Sequence, residues 1–230
     1  MTATKRLSNT DHKPGWKLAV DGEYIDGEWE IQSPYGFVQT AVVCDDKGTP
    51  VFDRPLYREA PNVNLVVYGR HSDGEIKIGM IRQPRPHADD PERPGVDGHE
   101  PILFGQVPMG FAEKILGETV EDTARRETTE ETGAKVVISV TRPKYPWHNP
   151  NPTFVASWSD LLFVEVDLDK IEALKSSRDE PIFSAEFISP SELISRVANG
   201  VDDAGAKYRM CTANSVLLIF FATFPKYWPQ

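Results

Sequence analysis

The sequence predicts an α+β fold, a mixed β-sheet packed between helices as an α/β/α sandwich. Three observations lead there. Short β-rich runs bounded by Gly, Asn, Asp and Pro recur from about residue 16 to residue 188. One long helical pattern, Thr119–Thr132, interrupts them, and two further helical patterns close the chain. A sheet with helices on its faces accommodates that order of elements.

Each element has its own justification. Residues 1–15 are polar and read as a loose arm. Ala19–Tyr24 and Glu28–Gln32 flank Asp26-Gly27, a dipeptide suited to a tight hairpin. Phe37–Cys44 and Pro50–Tyr57 are β-rich runs on either side of a turn at Asp45-Asp46-Lys47-Gly48. Asn64–Tyr68 and Ile76–Arg82 make another pair around Asp73-Gly74. Residues 84–101 carry five prolines and read as a loop. Ile102–Val107 resumes as a strand.

Thr119 is the expected N-cap of the first helix, with Asp122 three residues on as in a capping box, and Gly133 is the expected stop. Val136–Val140, Leu161–Val166 and Ile182–Ile188 follow as strands, with Thr141–Pro152 a second Pro/Asn-rich loop. Ser189-Pro190 opens a helix through Ser191–Asn199 that Gly200 ends. A last helix is expected from about Lys207 to Phe224.

Composition narrows the function. Hydrophobic residues are 40% and charged residues 26% of 230, which suits a folded globular chain. A net charge of −10 repels a phosphate backbone, so no nucleic-acid partner is expected. A small anionic substrate stays admissible, because a bound divalent cation reverses the local field. The longest apolar run, Val216–Phe224, is too short to span a bilayer, and Met1–Pro14 has no apolar leader core. Cys44 and Cys211 cannot form a disulfide framework. No membrane partner and a cytoplasmic location are expected.

The informative segment is Gly110–Ala134, GFAEKILGETVEDTARRETTEETGA. Residues three and four apart share a helix face, so Glu127, Glu130 and Glu131 project toward one side. Crowded carboxylates raise one another's pKa and weaken the helix. Arg126, four residues before Glu130, offsets part of that charge. A hard divalent cation would offset the rest, since Mg²⁺ and Mn²⁺ take carboxylate oxygens, water and substrate phosphates.

Glu118, a seven-residue gap, then Arg126-Glu127-Thr128-Thr129-Glu130-Glu131-Thr132-Gly133-Ala134 resembles the Nudix box, GX5EX7REUXEEXGU with U a bulky apolar residue. Thr128 and Ala134 stand where U is usually larger. The first box glycine falls on Ala112 by count, but Gln106-Val107-Pro108-Met109-Gly110 looks like the run before that glycine in the ADP-ribose pyrophosphatase branch. Gly110 is therefore the preferred equivalent, with a two-residue expansion of the following loop.

The resemblance implies that Glu127, Glu130 and Glu131 ligate Mg²⁺ or Mn²⁺, with a backbone carbonyl near Met109 completing the set. It implies that Arg126 holds the cluster by salt bridges and that Glu118 braces the loop or reaches a further metal through water. Ile78–Arg85 looks like a branch strand whose Arg85 would bind substrate phosphate or ribose. Glu180 matches a loop glutamate that serves some relatives as general base, so Glu127 or Glu180 would accept the proton of the attacking water.

Trp147, in the aromatic run Tyr145–Pro150, is a candidate to stack on a planar group. The implied activity is hydrolysis of the diphosphate in a nucleoside diphosphate linked to another moiety, ADP-ribose or a nucleotide sugar first. The alternative is an impaired domain that senses nucleotide. The looser resemblance starts near residue 60, which divides the chain into an N-terminal β-rich extension, 1–60, and a Nudix domain, 61–230. Relatives often dimerise through such an extension, so a homodimer is expected.

Overall fold

The computed structural model describes residues 3–6, 16–20, 23–25, 28–31, 36–44, 50–59, 61–71, 74–85, 102–112, 117–149, 158–174, 182–210 and 212–228. Its contacts form two units, Met1–Asn62 with Asn149–Ser159, and Val63–His148 with Asp160–Gln230.

Strands β1 (Ala3–Arg6), β2 (Trp16–Val20), β3 (Glu23–Ile25), β4 (Glu28–Ile31), β5 (Gly36–Cys44) and β6 (Pro50–Glu59) belong to the first unit. β5 and β6 form the expected antiparallel pair, with Gly36 opposite Glu59. Two expectations differ from the structure. Residues 1–15 are not wholly a loose arm, because β1 pairs with β4 and satisfies its backbone there. β3 pairs back on β2, with Val20 opposite Glu23, and not on β4, which pairs with β1. Asp26-Gly27 and Asp45–Gly48 themselves lie outside the described residues.

The second unit carries β7 (Asn62–Arg70), β8 (Ile76–Arg85), β9 (Ile102–Gln106), β10 (Met109–Phe111), α1 (Val120–Thr132), β11 (Val137–Thr141) and β12 (Trp147–His148). It continues with β13 (Ser159–Val166), β14 (Ser184–Ile188), α2 (Pro190–Asn199), β15 (Arg209–Met210) and α3 (Val216–Thr223). The sheet order is β11-β13-β7-β8-β9-β15, with β10 on β7, β12 on β13 and β14 on β8. It is mixed: β13–β7 and β15–β9 are parallel, whereas β7–β8, β8–β9 and β14–β8 are antiparallel.

β8 organises this sheet. Ile78 pairs with both Tyr68 and Ile188, and Ile81 with both Gln106 and Ala185. β14 therefore takes one edge of β8 while β7 and β9 share the other. The strand runs three residues past the expected end at Arg82, because β9 continues to pair with Gln83, Pro84 and Arg85. β14 ends opposite Arg82, so Pro84, which has no N–H to give, sits beyond that neighbour.

Side-chain alternation then decides the layers. Val63, Leu65 and Val67 of β7 and Leu162, Val164 and Val166 of β13 pack with Ala124 of α1. Their alternates Val66, Tyr68, Leu161 and Phe163 pack with Leu193 of α2 and Val216, Phe220 and Phe221 of α3. Both faces are covered, which is why β7 is buried from Asn62 to Gly69 and carries no polar-apolar alternation. The α/β/α arrangement expected from the order of elements is thus present in this unit.

The expected helix from Lys207 to Phe224 is shortened to α3. Asp202 accepts hydrogen bonds from the Ala204 and Ala206 N–H groups, and Arg82 Nη1 reaches its Oδ2 at 2.7 Å. Those bonds tie residues 202–206 into a turn, and β15 follows it by pairing with Phe104 and Gly105. Apolar periodicity alone could not register that Arg209 and Met210 pair with a strand remote in the sequence.

Candidate active site

α1 starts where local chemistry predicts. The Thr119 hydroxyl accepts from the Asp122 N–H at 3.1 Å, and Asp122 Oδ2 accepts from the Thr119 N–H at 3.1 Å. The Thr119 hydroxyl also donates to Asp122 Oδ2 at 2.6 Å, and this bond first, with that from the Thr119 N–H second, holds the Asp122 carboxyl below its usual range. α1 ends at Gly133, whose φ of 75° is left-handed and whose N–H reaches the Thr129 carbonyl. A Cβ at Gly133 would also lie 2.1 Å from the Glu172 carbonyl oxygen, so glycine is required there twice over.

The buried stripe of α1 is Thr123, Ala124, Glu127, Thr128, Glu131 and Thr132. It holds no large apolar side chain. Small residues let the helix approach closely, and the approach carries two glutamates inward. Glu127 is 4% exposed and Glu131 1%, whereas the Glu130 side chain remains 56% exposed at the margin. The Thr128 hydroxyl is buried with no hydrogen-bond partner among the described residues, the consequence of a Thr at an apolar position of the motif.

β10 supplies the opposite wall. The Met109 N–H donates to Glu131 Oε2 at 2.7 Å. At Gly110 a Cβ would fall 1.9 Å from both Cδ and Oε1 of Glu127. The glycine that the carboxylates need is therefore residue 110, while Ala112 carries its methyl without objection. Met109, expected to offer its carbonyl, is seen here using its N–H to orient a carboxylate.

Arg126 ties the group together. Its Nε and Nη2 donate to Glu118 Oε1 and Oε2 at 2.8 and 3.1 Å. Nη1 donates to Glu127 Oε1 at 2.8 Å and to Glu130 Oε2 at 3.0 Å, and Nη2 also reaches the Phe111 carbonyl at 3.0 Å. All five guanidinium N–H groups are used. The bidentate bond to Glu118 is the chief reason that Arg126 is held even more firmly protonated than an ordinary arginine. Glu118, Arg126, Glu127, Glu130, Glu131, Met109 and Gly110 are thus brought together from three parts of the sequence.

Three carboxylates, those of Glu118, Glu127 and Glu130, bond to one guanidinium, and a fourth, Glu131, is buried on the same helix. The excess negative charge, presented as hard oxygen donors with two of the groups buried, fits Mg²⁺ or Mn²⁺ rather than a soft metal. Among the described residues no three His, Cys, Asp or Glu side chains already converge as a ligand set. Arg126 bonds to one carboxylate oxygen each of Glu127 and Glu130, and the Met109 N–H to one oxygen of Glu131.

The remaining candidates are less connected. Trp147 lies in β12 and is 63% exposed. His148 beside it is half-buried, and its Nε2 lies 3.3 Å from the Ser215 hydroxyl oxygen. Arg85 pairs through its backbone with Ile102, and its side chain lies outside the described residues, as does Glu180. Sequence reasoning missed Asn214, whose carboxamide bonds to Val107 and Gly105, and the buried Gln106, which donates to Gln83 Oε1 at 3.0 Å. No local pattern marks either residue, because each partner is distant along the chain.

The family model of the NUDIX domain matches residues 59–208, well over half of the 230-residue chain. No curated protein matches the sequence.

Proposed function

Because the chain belongs to the NUDIX domain family, we propose that it is a metal-dependent hydrolase of a diphosphate linkage. The substrate is a nucleoside diphosphate joined to a second moiety, ADP-ribose or a nucleotide sugar. The observation that carries this reading is the pair of buried glutamates, Glu127 and Glu131, held against β10 with Arg126 across their rim.

Nudix enzymes in general work with divalent cations such as Mg²⁺. Glu127, Glu130 and Glu131 would hold such an ion, which would supply positive charge against the diphosphate oxygens and acidify a neighbouring water. This chain's own groups do the rest. Glu127, or Glu180, accepts the proton of the attacking water as its oxygen bonds to phosphorus. The bond from phosphorus to the bridging oxygen breaks, and two phosphorylated fragments leave. Arg126 keeps Glu127 oriented, and Glu118 keeps Arg126 in place. Arg85 grips a phosphate or ribose, and the exposed ring of Trp147 stacks on a planar group. In this reading residues 61–230 act as the hydrolase domain of a cytoplasmic enzyme, and residues 1–60 serve homodimer formation.

The test is release of phosphorylated products from a panel of ADP-ribose, nucleotide sugars and dinucleotides with Mg²⁺ or Mn²⁺. Glu131→Gln should lose turnover and keep the wild-type melting temperature; full activity in that variant refutes the reading. A second reading, a nucleotide sensor, is favoured by the commitment of Glu127 and Glu130 to Arg126. It predicts tight nucleotide binding by calorimetry with no product on any metal.

A further inference from the structure

The geometry points to Asn214 as a positioning residue that sets the carboxylates of α1 through the backbone of residues 105–109, an inference that rests on the reading of Glu131 as a metal ligand. Asn214 lies just before α3 and is 7% exposed. Its Oδ1 accepts from the Val107 N–H at 2.8 Å, and its Nδ2 donates to the Gly105 carbonyl at 2.8 Å. The Nδ2 also lies 3.3 Å from the Met210 sulfur. The two backbone partners fix the orientation of the amide, since the N–H must meet oxygen and the carbonyl must meet nitrogen. Only a carboxamide offers an acceptor and a donor side by side in this way.

The clamped segment leads directly to the carboxylates. Pro108 follows Val107, and its ring restricts the backbone there. The Pro108 carbonyl accepts from the Leu65 N–H at 2.9 Å, which pins the turn to the centre of the sheet. The next residue, Met109, gives its N–H to Glu131, and Gly110 abuts Glu127. A single residue, Pro108, lies between Val107, whose amide Asn214 holds, and Met109, whose amide orients Glu131. A stiff path that short transmits a shift of Val107 to Met109. Val107 packs with α3, and Asn214 precedes that helix, so the α3 side of the sheet governs a site on the α1 side.

Partners that orient metal ligands typically change metal affinity by about 10- to 100-fold when removed. In the full-length chain, Asn214→Leu removes both bonds at similar volume, and Asn214→Asp keeps the acceptor and loses the donor. Mn²⁺ binding, read by calorimetry and by electron paramagnetic resonance, should weaken about 10- to 100-fold in Asn214→Leu and less in Asn214→Asp. The Mg²⁺ concentration for half-maximal turnover should rise in parallel, with substrate KM at saturating metal unchanged. The Met109 amide should exchange with solvent about tenfold faster, the effect of weakening one hydrogen bond.

A residue that merely supports folding would lower the melting temperature and leave Mn²⁺ affinity and Met109 exchange alone, and that result overturns the proposal. If Asn214→Leu does not fold, Asn214→Asp decides, and wild-type Mn²⁺ affinity there overturns it. Failure of the wild type itself to bind Mn²⁺ or turn over any nucleotide sinks the hydrolase reading instead. Met109 exchange then still reports whether Asn214 holds the segment, and equal exchange in wild type and variant refutes that role.

Discussion

Gly110→Ala adds one methyl group at the point where β10 and α1 come closest. The new Cβ would fall 1.9 Å from Glu127 Cδ and Oε1, whereas ordinary contact begins at 3.4 Å. The Glu127 carboxylate must therefore retreat by about 1.5 Å, or β10 must move outward by as much. Neither is easy. Glu127 is buried and bonded to Arg126 at 2.8 Å, and β10 is held to Glu131 through the adjacent Met109 N–H.

Overpacking of this kind costs about 1–3 kcal/mol of stability. A misplacement of about 1 Å in a reacting geometry costs about 100-fold in rate, so a shift of this size should lower kcat by at least that factor. The assay is Mg²⁺-dependent product release at saturating substrate, beside a urea titration to confirm that the variant is folded. The loss should appear in kcat and in the Mg²⁺ requirement. A folded Gly110→Ala protein with wild-type kcat would refute the claim that Glu127 works from the position seen here.

Two further outcomes follow from single residues. Thr128→Val replaces a buried hydroxyl that has no partner among the described residues, and should stabilise the chain by about 1 kcal/mol; an unchanged or lower urea midpoint would contradict this. Burial holds the His148 imidazole below its usual 6.5. The unfolded chain then takes up the proton first, so stability is whole above about pH 6.5, falls below it, and levels off at the lowered value. His148→Gln should flatten the fall of stability just below about pH 6.5, and an unchanged slope would show that the imidazole is not the cause.

Local chemistry in the sequence was sufficient for α1 and α2. Thr119 with Asp122 and Gly133, and Ser189-Pro190 with Gly200, specify their helix ends through bonds that span at most four residues. For the same reason the spacing of Glu118, Arg126, Glu127, Glu130 and Glu131 was readable as a charged motif on one helix. Elements whose partners are remote were not readable. The end of β8 depends on β9, the turn at residues 202–206 on Asp202 and Arg82, and the place of β3 on its pairing with β2 and not β4.

The order of charged residues was thus determined by the sequence itself, because a helix converts spacing into a shared face without outside help. Which of those carboxylates are buried, which are bonded to Arg126, and why residue 110 must be glycine were decided only by tertiary structure. Close approach between β10 and α1 arises from packing in three dimensions, and a one-dimensional pattern holds no distance between segments that meet only after folding.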